Sequence, residues 1–214
     1  MNIEELNNKH SEYKANIESW EFYKAAYDGT KALLDYGVVK KLAEEKAAAY
    51  AERIKTIFGF NLSERLISLI ISYLFTKPAV YGFSVLDSDA LFAMFRVNAN
   101  KQGDSFEIYM QEQLEQSKIY GHVGILVNKQ KVDGATVSTI ENDRASKAYP
   151  YLTSFTPPSI YDWKYELING EKILTYLVLF DAMGRWNVWY QESWEIWATD
   201  NDGSDPYFFS TTIK

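Results

Sequence analysis

The hydrophobic pattern of this 214-residue chain changes period once, at Gly121, and that change constrains the fold more than any single motif. Before it, bulky apolar residues recur every three or four positions. After it, short runs rich in β-branched and aromatic residues alternate with turn residues. Helices first and strands second predict an α+β protein. The expected layout is a helical part over 1–120 packed against a mostly antiparallel, hairpin-built sheet formed by a β-rich part over 121–214.

In the first part, Tyr13, Ile17, Trp20, Tyr23, Tyr27 and Leu34 make one stripe of a helix over Ser11 to Leu34, weakened near its end by Gly29 and Gly37. A second helix is expected over Val38 to Phe58, rich in Ala, Glu and Lys, with Leu42, Ala49, Arg53 and Ile57 on its thin apolar face and Gly59 as its C-cap. A third starts at Leu62 or Ser63 and stops at Phe75, ahead of Lys77-Pro78. That third helix is apolar nearly all round, so Leu66, Leu69, Ile70, Tyr73 and Leu74 are expected in the core. Asp87-Ser-Asp89 reads as an N-cap cluster before Ala90 to Val97, and Asp104-Ser105 starts a helix that runs to Tyr120.

Beyond Gly121, Val123 to Val127 reads as a buried strand, Asn128 to Ala148 as an exposed loop, and Tyr149 to Phe155 and Ile160 to Ile168 as extended segments. Asn169-Gly170 between two apolar runs is a strong hairpin signal. Two further strands, around Trp186 to Thr199 and Tyr207 to Thr212, flank a turn at Asp200 to Gly203.

Composition narrows the chemistry. Hydrophobic residues at 47% and charged residues at 24% describe a folded chain rather than a disordered one. The absence of cysteine removes disulfides, thiol nucleophiles and cysteine zinc sites. His10 and His122 are the only histidines, and neither stands in a recognisable nucleophile motif. Asp200, Asp202 and Asp205 resemble a cation loop, but Gly203 and Thr211 fall where an EF-hand loop places other residues, so a hairpin turn is the better reading. Asp87 and Asp89 read as helix caps rather than as an acid and base pair. Lys31, Lys40, Lys41, Lys46, Arg53 and Lys55 are interleaved with Asp35, Glu44, Glu45 and Glu52, the pattern of a solvated, ion-paired face. No catalytic residue, metal ligand or cofactor site is assigned.

The net charge of −7 argues against a phosphate-gripping surface spread over the whole fold. The acidic start, Met1-Asn-Ile-Glu-Glu-Leu6, lacks the features of a signal peptide, and the apolar run Leu66 to Phe75 is about half the roughly twenty residues of a membrane span. A cytosol-like site of synthesis and no membrane partner are therefore expected. Trp186, Trp189, Trp194 and Trp197 suit a core or a subunit contact, and sugar or peptide stacking is their rival use.

Taken in order, His10 to Trp20, Ala26 to Gly29 and Leu69 to Pro78 resemble the N-terminal part of tailed-phage portal proteins. The likeness continues through Ser105-Phe106, Tyr120 to Asn128, and Tyr149-Pro-Tyr-Leu to the Asn169-Gly170 hairpin, spanning about residues 10 to 199. Its most specific marks are the apolar helix ending in Phe75-x-Lys-Pro78, the strand entry Gly121-x-Val-Gly-Ile-Leu-Val127, and Ile160-x-x-Trp-x-x-Glu166 in the hairpin. The resemblance implies a non-enzymatic subunit of a dodecameric ring at a capsid vertex, made in a bacterial host by a phage or prophage. DNA would be packaged and ejected through that ring without sequence-specific binding. It also implies that this chain corresponds to the wing alone: portal chains are longer, and the stem and clip, through which the terminase and head-tail adaptor dock, have no counterpart here. The rival classes are a small metal-dependent enzyme built on Asp200 and Asp202, and a sugar- or peptide-binding module built on the tryptophan strands.

Overall fold

The computed structural model describes residues 2–80, 82–129 and 139–199, together with the backbone of 207–213. The chain is α+β, as its pattern predicts, and it divides into two compact units. Residues 1–21 belong with 155–214, and 22–154 form the second unit. The compositional change at 121 is therefore not the structural division: the chain's first helices belong with its last strands.

The first unit is a five-stranded antiparallel meander with strands β3 (Ile160–Ile168), β4 (Glu171–Phe180), β5 (Trp186–Tyr190), β6 (Ser193–Ala198) and β7 (Tyr207–Ile213) in sequential order. Asn169 (φ 53°) and Gly170 (φ 86°) both take left-handed conformations, the requirement of a tight type I′ turn, and set Ile168 opposite Glu171. The stretch expected as one strand over Trp186 to Thr199 is a hairpin, folded at Gln191-Glu192, which pairs Trp186 with Trp197 and Trp189 with Trp194. The turn expected at Asp200 to Gly203, and Asp205, lie outside the described residues.

Helix α1 (Ile3–Leu6) is closed by a capping box in which Asn2 and Glu5 exchange hydrogen bonds, 2.8 and 2.9 Å. It drives Leu6 into a fully buried cluster with Val178, Trp186 and Val188, ringed by Tyr161, Tyr176, Phe180, Tyr190 and Trp197. Helix α2 (Ser11–Asp28) starts in this unit, and Tyr13 anchors it there by donating its hydroxyl to the Pro158 carbonyl and meeting Tyr161 edge to face.

The second unit holds the rest of α2, then α3 (Thr30–Tyr36), α4 (Ala47–Thr56), α5 (Leu62–Leu74), α6 (Ala90–Val97), α7 (Phe106–Tyr120) and α8 (Ile140–Ser146), with a two-stranded sheet of β1 (Gly124–Lys129) and β2 (Pro150–Phe155). Its core gathers Ala99, Tyr109 and Leu152 against Phe95, Phe106 and Met110. The backbone joins them too, since Ala99 N–H donates to Asp104 and its carbonyl accepts from Leu152.

Four expectations are corrected in this unit. The helix read over Ser11 to Leu34 breaks at Gly29 (φ 98°), where a Cβ would also stand 3.1 Å from Asn61 Nδ2. The helix read over Val38 to Phe58 shortens to α4, because α4's own side chains satisfy the preceding backbone: Tyr50 donates to the Val39 carbonyl and Arg53 to that of Lys40. Arg53 also grips Glu45 through two nitrogens, at 2.8 and 2.7 Å. The loop read over Asn128 to Ala148 contains α8, capped by Thr139 and ended by Lys147 in the left-handed region. The fourth correction concerns the core. Leu66 (60% exposed), Leu69, Ile70, Tyr73 (74% exposed) and Leu74 face solvent, while Ile71, at 4%, is the buried residue of α5.

Candidate interaction surfaces

Helix α5 carries two apolar stripes where one suffices for packing. Ile67, Ile71 and Phe75 repeat every four residues and are covered, the side on which α5 lies against α7. Leu62, Leu66, Leu69 and Tyr73 repeat at spacings of four, three and four on the opposite side and are exposed. Asn61 fixes the start of the helix by accepting from Glu64 N–H (3.0 Å) and donating to the Tyr27 carbonyl (2.6 Å). Directly before it, Phe58 and Phe60 are exposed and meet each other edge to face. Charge hardly interrupts the surface: Arg65 is exposed, whereas Glu64 is half-buried and accepts from Ser68.

The same unit exposes further apolar residues. Val85 and Leu86 sit in a single 3-10 turn over Ser84–Ser88, and Val97 closes the end of α6, which packs on both that turn and α7. Asp87 and Asp89 hold this region in shape. Asp87 accepts from Phe83 N–H, and Asp89 accepts from the N–H groups of Leu91 and Phe92 and from Arg144. The Arg144 guanidinium and those N–H groups keep the Asp89 carboxyl below the ordinary carboxylate range.

In the sheet unit, a cleft of about 890 Å³ opens between α1 and β3–β5, lined by Glu4, Glu5, Asn8, Asp162, Lys164 and Tyr176 among others. Asp162 is buried, accepting from Asn8 Nδ2 and Trp163 N–H. Burial, then the neighbouring Tyr190, Asp162, Glu5 and Glu195, pushes the Tyr176 hydroxyl up to about 12. Nearby, Lys9 lies over the Tyr161 ring, and its burial brings the amine down to about 8. The cleft is acidic, and within it Asn2 is engaged with Glu5 and Asn8 with Asp162.

The tryptophans divide by environment. Trp186 is buried in the core with Leu6, Val178 and Val188; Trp197 packs against the same cluster and donates to Glu195. Trp189 and Trp194 are half-buried and stack on each other at 5.1 Å. His10 stacks on Trp163, donates its backbone N–H to the Tyr161 carbonyl, and accepts at Nδ1 from the Glu12 backbone N–H. His122 is exposed beside the C-cap of α7. Among the basic residues of the first helices, Arg53 pairs with Glu45 and Lys55 with Glu52.

Among the described residues no group of three or more His, Asp or Glu side chains converges on a common point, and no helix is long and apolar enough to cross a membrane. Comparison with protein-family models and with curated proteins finds no match for this chain.

The surface that sequence reasoning missed is the outer stripe of α5. Its signal was present in the 62, 66, 69, 73 spacing, but a helix with apolar residues on opposite sides reads as wholly buried until one side is seen to lack a neighbour.

Proposed function

We propose that the chain is a structural subunit, the wing part of a portal ring that sits at a capsid vertex and lets double-stranded DNA pass during packaging and ejection. The observation that carries this reading is the order of its marks along the chain. An apolar helix followed by Lys77-Pro78, the Gly121-x-Val-Gly-Ile-Leu-Val127 entry into β1, and the Ile160 to Glu166 hairpin strand follow one another in an order that resembles that of portal proteins.

Two physical features support it. A net charge of −7 suits a conduit along which DNA slides, because few phosphate contacts form and few counterions are released. An apolar α5 stripe in water suits a chain whose neighbours are other subunits. In this reading the partners are further copies of the chain, with the terminase and head-tail adaptor docking elsewhere on the assembly, and the location is the virion.

Negative-stain imaging at high protein concentration tests the reading. Closed rings of about a dozen subunits are the expected outcome where association is driven far enough. A discrete dimer that persists at nanomolar concentration and never grows would overturn it. Millimolar calcium or magnesium is expected to leave the melting temperature unchanged; a saturable rise lost in Asp202→Ala would instead favour a metal-dependent enzyme.

A further inference from the structure

We propose that the outer stripe of α5 is the seat of a second copy of this chain, which meets it head to tail through the exposed Val85 and Leu86 of the 3-10 turn. The head-to-tail choice rests on the ring reading. The choice of surface does not.

The argument from size comes first. Leu62, Leu66, Leu69, Ile70, Tyr73 and Leu74 together expose on the order of 600 Å², and Phe58 and Phe60 add roughly 300 Å² more, against the roughly 800 Å² per partner that a stable protein interface buries. A surface of that extent, with Arg65 at its margin, matches the apolar centre and polar rim of a protein contact. Geometry comes next. Spacings of four, three and four give a straight seam along about three turns of helix, the form into which knobs from a neighbouring element insert. The occupant follows from what one chain contains: head-to-tail contact requires two different, mutually complementary surfaces on each copy, and a single compact unit carries both the α5 stripe and the exposed Val85 and Leu86. This places the subunit contact on the helical unit instead of on the tryptophan strands, whose Trp186 and Trp197 are occupied by their own core.

The chain has no cysteine, so introduced thiols report contacts cleanly. Sedimentation of the full chain from 1 to about 300 μM is compared with that of Leu66→Glu/Leu69→Glu, with circular dichroism and melting temperature confirming that the variant folds, as substitution of exposed residues permits. The wild type is expected to gain mass with concentration, and the variant to associate at least about tenfold more weakly, since each interface would bury unpaired carboxylates. Oxidised Leu69→Cys/Val85→Cys is expected to give a ladder of covalent multimers, with each single variant giving none. Dimers from Leu69→Cys alone would mean a two-fold pairing and overturn the head-to-tail contact. Unchanged association in the glutamate variant, or a wild type that stays monomeric throughout, would overturn the surface itself, as would vesicle binding by the wild type that the variant loses. A ladder accompanied by open filaments instead of rings would leave the contact standing and sink the portal reading.

Discussion

The two units invest their apolar residues differently. The sheet unit turns them inward: Leu6 and Val188 have no exposed surface, and aromatic rings close over them. In the helical unit, α3, α4 and α6 contribute no buried residue, and α5 contributes one. The helical unit nevertheless holds the most apolar segment of the chain. The difference teaches that apolarity predicts the need for cover, not where the cover comes from. A strand in a meander finds it in adjacent strands and in α1, whereas a helix apolar on two sides requires a neighbour on each.

The sharpest way to break this comparison is to remove one side chain from each kind of site. Leu6→Ala in the sheet unit is expected to cost about 2 to 5 kcal/mol, because the residue is fully enclosed and the cavity cannot collapse against β4 and β5. All six tryptophans lie in this unit, so urea unfolding followed by tryptophan fluorescence reads it directly. A loss below about 0.5 kcal/mol would show that the chain's first helix is not part of that core.

Within α5 the same test discriminates two adjacent isoleucines. Ile71→Ala is expected to cost about 2 to 4 kcal/mol and Ile70→Ala about 1 kcal/mol or less in dilute protein, since one faces α7 and the other faces water. Hydrogen exchange of the α5 and α7 amides measures both. Equal costs would mean that the outer stripe is covered within a single chain.

Asn61→Ala sharpens the comparison at the entrance to α5. It removes the acceptor for Glu64 N–H and the donor to the Tyr27 carbonyl, at an expected cost of about 1 to 2 kcal/mol. The loss should appear as faster exchange in the first turn of α5, with tryptophan fluorescence unfolding nearly unmoved. A shift of the tryptophan transition as large as that in α5 would show that the two regions unfold together.

How much of this was legible beforehand follows from the range of each interaction. The Asn169-Gly170 hairpin, the Asp89 and Ser105 caps and the stop before Pro78 are local, and each was readable within a few residues. The unfolding of the Val38 to Lys46 stretch was not. Its lysine- and glutamate-rich composition favours helix, and only the reach of Tyr50 and Arg53 back to Val39 and Lys40 overrides that propensity. The membership of Leu6 in a core made by residues 178 to 188 was equally hidden, because nothing in a four-residue helix states which distant strand it covers. For α5 the stripe itself was visible and its exposure was not, since periodicity identifies faces and leaves their partners unnamed.

The smallest expected effect is one of pH, and it concerns how the sheet unit holds its turns. Asp181 closes the link between β4 and β5 by accepting from Met183 N–H, from the backbone and side chain of Arg185, and from Asn187. Burial alone would raise its carboxyl, but Arg185 and these hydrogen bonds outweigh that and hold it below the ordinary range. An acid whose folded value lies below its unfolded value, about 3.9, binds fewer protons in the folded state. Its contribution is therefore complete above about pH 5 and declines as pH falls through 4 toward the folded value. Asp181→Asn removes the titration while preserving the size of the side chain. The variant is expected to be less stable than the wild type at pH 7 and to lose less stability between pH 5 and 3, read from tryptophan-detected urea midpoints at each pH. The partly exposed position keeps the effect modest, because solvent screens the Arg185 pair. Parallel pH curves for the two proteins would remove Asp181 from the acid response and leave it to the helical unit, where Arg53 brings Glu45 down to about 2.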